Sequence, residues 1–329
     1  MTRPLRIHIE NDASGAEALR LTAARLRGRL AEAGLLDATV EVSENGDASA
    51  LASAMAGSDV LFACRKLSVA EAKRAAPDLA WVQVISAGVD SLVADLPDGV
   101  VLTNASGVHG PKGGEYALAA ALMLTYRIPA FASDKNAVQW QPSFGGTARG
   151  KRVLLLGVGG IGAAAAPWLR QHGMVVTGIT RSGRAGVELD RCIGPEDLDA
   201  TLAKTDILIS TLPLTPQTRH LIDRRRLELL PQGAGVVVLG RANVFDYDAM
   251  ADLLETGHLD GAVLDVFPQE PLPAEHRLWR TPRLIMTPHC SVDDHAVYMD
   301  RCLDIFVDNV RRFRAGERLI NIVNPALGY

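Results

Sequence analysis

Ten residues constrain this chain more than any others. Val153–Gly162 reads Val-Leu-Leu-Leu-Gly-Val-Gly-Gly-Ile-Gly, an apolar run followed at once by Gly157, Gly159 and Gly162 in the spacing G-x-G-x-x-G. The spacing is a set of steric demands. Gly157 permits the tight turn off a buried strand, Gly159 lets the backbone approach a pyrophosphate, and Gly162 lets the following helix pack closely on the sheet. Gly160 and Ile161 fill the two unspecified positions between the last two glycines of the spacing. Free N–H groups at the start of that helix, aided by its dipole, then face the phosphates. With a strand before it and a helix after it, the motif predicts dinucleotide binding.

A chain of 329 residues is long enough for two domains. Strand-like runs alternate with helix-like runs throughout, which predicts a parallel α/β architecture. In the first third the expected strands are 5–10, 38–42, 59–64, 79–85 and 100–104, with a helix over 15–33. Further on, 153–157, 175–180, 206–210, 236–240, 261–266 and 284–287 are short apolar runs suited to strands buried on both faces. Long helical patterns cover 113–131 and 295–314. Pro167 falls inside the helix expected after the glycine loop, where it removes a hydrogen bond and predicts a local kink.

Charge and cysteines exclude several classes. A formal net charge of −4 gives no global attraction to nucleic acid. The N-terminus lacks the apolar core of a signal peptide, and the alanine-rich stretch 116–125 is too short to span a bilayer. Cys64, Cys192, Cys290 and Cys302 are scattered without a C-x-x-C pair, which argues against a zinc cluster or disulfide framework and for a reducing cytoplasm. No metal site is expected.

The coenzyme can be read more finely. An NAD binder needs a carboxylate about 20 residues after the glycine loop, on the ribose 2′-hydroxyl. That region reads Gly-Ile-Thr-Arg-Ser-Gly-Arg over 178–184, and no carboxylate appears before Glu188. The guanidinium groups of Arg181 and Arg184, with the Ser182 and Thr180 hydroxyls, suit a 2′-phosphate instead. The expectation is NADP(H) in preference to NAD(H).

Three strand-like runs end in chemistry. Arg241 follows Val236–Gly240, Asp265 and Glu270 follow Gly261–Leu264, and His289 follows Leu284–Pro288. Ligands of open α/β sheets bind at such strand ends. Reducing a 2-oxo acid needs a hydride donor, a proton donor to the carbonyl oxygen and a cation for the carboxylate. An imidazole with an acidic neighbour supplies the second need and arginine the third.

With these segments in hand, the chain from about Ala80 onward resembles the D-isomer-specific 2-hydroxyacid dehydrogenase family. The resemblance rests on Trp81–Asp90 (Trp-Val-Gln-Val-Ile-Ser-Ala-Gly-Val-Asp), Thr103–His109, the glycine loop, Leu212–Thr218, the Arg241 segment, Leu264–Leu272 and Thr287-Pro-His289. It implies His289 as general acid/base, Glu270 as its partner, and Arg241 on the substrate's carboxylate and carbonyl. The same resemblance puts the amides around Ala87 and Gly88 on the carboxylate, Asp265 on the nicotinamide amide, and Leu212, Pro213 and Thr218 among the coenzyme contacts. By the same resemblance, a Rossmann-type doubly wound sheet domain, 105–291, is inserted in a smaller flavodoxin-like substrate domain, 1–104 plus 292–329. The implied reaction is reduction of glyoxylate or hydroxypyruvate to the D-2-hydroxy acid by a homodimer joined through the nucleotide domain, with Gly113–Phe131 at the interface and Trp140 near the partner's site. A bulkier aliphatic or aromatic 2-oxo acid is the alternative substrate, and a dinucleotide-sensing corepressor-like protein the alternative function. The chain departs from the family at Val238 and Ala242, where asparagine and glycine are usual, and at Gly113-Gly114, where alanine is.

Overall fold

The computed structural model describes residues 3–328. The chain divides into two compact units. One runs to Val108 and resumes at Asp294; the other is His109–Asp293.

The first unit holds β1 (Leu5–Glu10), β2 (Val40–Asn45), β3 (Val60–Ala63), β4 (Trp81–Val84) and β5 (Val101–Thr103), all parallel in the order β2-β1-β3-β4-β5. That is the flavodoxin-like order. The C-terminal helix Tyr298–Ala315 packs in this unit: Phe306 stacks on Trp81 with ring centroids 4.9 Å apart and meets Phe62 edge-on at 4.9 Å. The buried Trp81 indole finds its partner in the Thr103 hydroxyl at 2.7 Å. The interior strand β1 is not wholly apolar, because His8 and Glu10 lie on it and are both fully buried.

The second unit continues with β6 (Arg152–Leu156), β7 (Val175–Ile179), β8 (Arg191–Ile193), β9 (Ile207–Ser210), β10 (Ala234–Val238), β11 (Leu259–Leu264) and β12 (Leu284–Met286). They form one parallel sheet, β12-β11-β10-β9-β6-β7-β8. Renumbered from β6, that is the doubly wound Rossmann order 3-2-1-4-5-6 with one more strand. Val, Leu and Ile make up most of β6, β9 and β10, and all but Arg152 of these strands is buried, as a sheet covered on both faces requires.

Several elements differ from expectation, each for a physical reason. Over 15–33 only a 3-10 turn at Glu17–Leu19 and the helix Ala23–Glu32 form. Between them the Asn11 side chain bonds both backbone groups of Leu21 at 2.9 Å and holds that residue out of the helix, and Thr22 then caps the helix from its side chain. The pattern over 113–131 is two helices, Gly110–Thr125 and Ile128–Asn136, broken where Arg127 takes φ +59° and Pro129 opens the second. The helix after the glycine loop, Gly160–Gln171, has Pro167 inside it, as expected. Edge strand β2 extends through the polar Ser43-Glu44-Asn45, and the three-residue β8 has no apolar run to announce it.

Candidate active site

The glycine loop is built as its spacing demands. Gly157 takes φ +89°, and a Cβ on Gly162 would lie 2.2 Å from the Gly157 carbonyl oxygen. A Cβ on exposed Gly159 would meet only open space, so no protein group blocks approach to the backbone there. Gly159 itself is extended, and the helix begins at Gly160 with its first amides pointing out of the turn. The Thr211 hydroxyl closes the loop from behind, donating to the Gly157 carbonyl at 2.9 Å. Alongside it, the helix Gly110–Thr125 lies against the helix Gly160–Gln171. Cβ atoms on Gly113 and Gly114 would stand 2.9 Å from Ile161 and from the Ala164 backbone. The two glycines that depart from the family pattern thus set how closely these helices approach.

The segment after β7 separates its charges along the strand. Arg181, Ser182 and Arg184 are exposed in a turn at the end of β7, where Gly183 takes φ +65° and Thr180 donates to the Arg184 carbonyl at 2.9 Å. Glu188 and Asp190 are drawn the other way. Arg170 binds Glu188 at 2.9 Å and Asp190 at 3.4 Å, and the Asp190 carboxylate also accepts from the Val176 amide at 2.8 Å. The Arg170 guanidinium holds the Glu188 carboxyl below the usual carboxylate range. Val176 lies four residues before Thr180, about 13 Å at the strand rise. The carboxylates of this segment are thus engaged by Arg170 and by the start of β7.

Beyond β9, Leu212 and Pro213 begin a loop that Thr218 braces from within. The Thr218 hydroxyl donates to the Pro213 carbonyl at 2.7 Å and accepts from the Thr215 amide at 2.8 Å. The structure gives Thr218 a supporting position rather than a free hydroxyl. A Cβ on Gly240 would be 2.4 Å from the Leu212 carbonyl oxygen, so only glycine lets the end of β10 pass this loop. Gly240 is a site residue the sequence did not single out.

Arg241, Asp265 and His289 follow β10, β11 and β12, three neighbouring strands of one sheet. The Asp265 amide donates to the Val238 carbonyl at 3.1 Å and the Thr287 amide to the Leu264 carbonyl at 3.0 Å, which ties the three strand ends into one edge. His289 Nδ1 lies 2.7 Å from Glu270 Oε2, and the other Glu270 oxygen accepts from the Phe267 amide at 2.9 Å. The pair is open to solvent, with 47% and 38% of the two side chains exposed. With Nδ1 committed to the carboxylate, Nε2 is the nitrogen presented outward. His289 takes φ +50°, in the left-handed region that few non-glycine residues adopt. The partly buried Arg241 starts a short turn and donates from Nη1 to the Gly240 carbonyl at 3.0 Å. Val238 and Ala242, the other departures, are buried in the sheet's core. Asp265 is fully buried; Oδ1 is bonded and Oδ2 has no partner. An unpartnered buried carboxylate oxygen calls for an N–H donor from a ligand. Together with the room over Gly159, it fits a nicotinamide dinucleotide.

In the first unit the loop after β4 is anchored on several sides. The Asn104 side chain donates to the Ala87 carbonyl at 2.8 Å, the Ala105 amide to Ser86 at 3.0 Å, and the Tyr298 hydroxyl to Ile85 at 2.6 Å. These bonds use carbonyls and leave the N–H groups of Ala87 and Gly88 to other partners.

The chain is similar to proteins of known family. Residues 118–291 match the model of the D-isomer specific 2-hydroxyacid dehydrogenase, NAD binding domain. Glyoxylate/hydroxypyruvate reductase A of Salmonella paratyphi C is 34% identical over 258 residues, covering 75% of this chain and 81% of the relative. A D-isomer specific 2-hydroxyacid dehydrogenase from Xanthobacter autotrophicus Py2, solved with NADPH and MES, superposes with TM-score 0.80 at 29% identity over the whole of both chains. An NADPH-dependent glyoxylate/hydroxypyruvate reductase from Sinorhizobium meliloti, solved with NADP and sulfate, superposes with TM-score 0.79 at 26% identity over 99% of this chain and 100% of that one.

Proposed function

Because the chain belongs to the D-isomer-specific 2-hydroxyacid dehydrogenase family, a family of oxidoreductases, we propose that it reduces a small 2-oxo acid to the D-2-hydroxy acid with NADPH. The observation that carries the reading is the 2.7 Å bond between His289 Nδ1 and Glu270, at the same sheet edge as Arg241. When bound, the reduced coenzyme supplies the hydride for the carbonyl carbon. His289, protonated, gives its Nε2 proton to the carbonyl oxygen as negative charge develops there, and Glu270 stabilises the imidazolium and fixes its tautomer. Arg241 takes the substrate carboxylate and polarises the carbonyl. The amides of Ala87 and Gly88 are candidate donors to the same carboxylate. Gly157, Gly159, Gly160, Ile161 and Gly162 would hold the pyrophosphate, with Leu212 and Pro213 beside them, and Asp265 the carboxamide. Arg181, Arg184 and Ser182 would take the 2′-phosphate, supported by the removal of Glu188 and Asp190 to the far end of β7.

Glyoxylate and hydroxypyruvate are the first substrates to try, on the likeness to the named reductases. We also propose a homodimer in the cytoplasm. Val138, Trp140 and Phe144, each more than nine-tenths exposed, follow the helix Ile128–Asn136 and suit cover by a second copy. Burial pushes the Cys302 thiol up to about 12, and Cys64 higher, so both stay protonated. Among the described residues no helix is long and apolar enough to cross a membrane.

The test is to follow NADPH and NADH consumption across a panel of 2-oxo acids, small and bulky. Turnover of glyoxylate or hydroxypyruvate with a higher kcat/KM for NADPH is expected. Preference for NADH removes the arginines from their role. Saturable coenzyme binding with no turnover on any acid replaces the enzyme with a coenzyme-sensing protein.

A further inference from the structure

Behind the histidine loop, three donors converge on a single oxygen of Asp265. Oδ1 accepts the Thr287 hydroxyl at 2.6 Å, the Cys290 amide at 3.2 Å and the Ser291 amide at 3.1 Å. Oδ2 is equally shielded from solvent and has no partner. The Thr287 oxygen also lies 3.2 Å from the Tyr116 hydroxyl, which comes from the helix Gly110–Thr125. A hydroxyl has one proton, and Thr287 gives its proton to Asp265, so Tyr116 is the donor in this second contact. The order is Tyr116 O–H to Thr287 O–H to Asp265 Oδ1. Each bond in such a chain polarises the next. Oδ1 is thereby saturated, rotation of the carboxylate is opposed, and Oδ2 keeps its lone pairs for a further donor. The two amides on Oδ1 belong to the residues just after His289, so the same oxygen also fixes the strained turn that carries the ring.

We propose that Thr287 and Tyr116 are positioning residues for the nicotinamide end of the coenzyme, holding Asp265 so that Oδ2 alone is offered to the carboxamide N–H group. This rests on the reading that Asp265 receives the carboxamide. Without the Thr287 hydroxyl, Oδ1 keeps only the Cys290 and Ser291 amides of its three donors among the described residues, and the carboxylate plane is free to swing about its Cβ–Cγ bond. The remaining oxygen is then no longer held in one direction, and ordering it again weakens binding.

The experiment compares two ligands that differ only in nicotinamide, NADPH and 2′-phospho-ADP-ribose, by titration calorimetry on the full-length protein and its variants. Thr287→Val should weaken NADPH about ten-fold, the scale of a hydrogen bond to a charged group, and leave 2′-phospho-ADP-ribose unchanged. Thr287→Ser should restore NADPH affinity, and Tyr116→Phe, one step further back, should weaken NADPH about three-fold. Equal loss for both ligands in Thr287→Val, or unchanged NADPH affinity, overturns the proposal. Asp265→Asn separates it from the reading beneath. If Asp265→Asn leaves NADPH affinity intact, the carboxamide contact itself is wrong; if it weakens NADPH while Thr287→Val does not, only the roles of Thr287 and Tyr116 fall. A protein that binds neither ligand removes the proposed coenzyme altogether.

Discussion

Among the described residues two histidine–glutamate pairs stand out, one in each unit, and they differ in almost everything but composition. In the second unit His289 meets Glu270 at 2.7 Å with both side chains open to solvent. In the first, His8 Nε2 lies 3.3 Å from Glu10 with both side chains fully buried, and His8 Nδ1 is taken by the Ser43 hydroxyl at 2.9 Å. Glu10 accepts in addition from Asn45 at 3.0 Å and from Arg65 at 2.9 and 2.8 Å. Both nitrogens of His8 are thus occupied, and burial pushes its pKa below the ordinary histidine value despite the nearby carboxylate. Glu10 finds its counter-charge in Arg65 instead. The difference teaches that pairing with a carboxylate does not make a histidine an acid catalyst. Water must reach it so that it can charge, and one nitrogen must remain for a substrate. The first pair has neither and serves as a buried polar network; the second has both.

The largest expected effect breaks the catalytic side of this contrast. His289→Asn should lower kcat with any accepted 2-oxo acid by about two to four orders of magnitude, the usual worth of a general acid, with coenzyme affinity retained. Steady-state rates together with a coenzyme titration check it, and a kcat within a few-fold of the parent would move the proton donor elsewhere. The structural side breaks differently. Arg65→Met leaves Glu10 buried without its counter-ion and should destabilise the protein by about 3 kcal/mol, seen as a lower urea midpoint. Adding Glu10→Gln should recover much of that loss, because no bare charge remains. If Arg65→Met does not change the midpoint, Glu10 is neutralised by something other than Arg65.

The same contrast marks how far the sequence could be read. Arg241 and His289 could be picked out because each comes three residues past a short apolar strand, and Glu270 because it lies in the loop that follows another; strand ends of a parallel sheet share one edge. The glycine loop was legible because its demands are met within six residues. His8 and Glu10 were not, since alternate positions of Leu5–Glu10 look like any strand and their partners come from Ser43, Asn45 and Arg65 on other segments. Helix ends failed for a similar reason: the Asn11 side chain that fixes Leu21 gives no periodic signal. The Tyr116–Thr287–Asp265 chain spans residues far apart in sequence, and nothing about a tyrosine in an alanine-rich helix points to a threonine after β12. Local steric and hydrophobic demands can be read in order along the chain, whereas hydrogen-bond partners brought together by packing cannot.

The smallest effect concerns protons, and its sign follows from burial. His8 has a lower pKa folded than unfolded, so the unfolded chain binds the extra proton first. The stability His8 contributes is therefore present above the unfolded value near 6.5 and lost as pH falls toward the folded value. Carboxylates held low, such as Asp37 at about 2 beside Thr39 and Arg314, titrate below this window and do not obscure it. The melting midpoint should accordingly drop between pH 7 and pH 5, and His8→Gln, which cannot charge, should flatten that drop even if it lowers the midpoint at neutral pH. An equal slope in parent and variant would mean that His8 titrates as it does in water, and the buried pair would then resemble the exposed one after all.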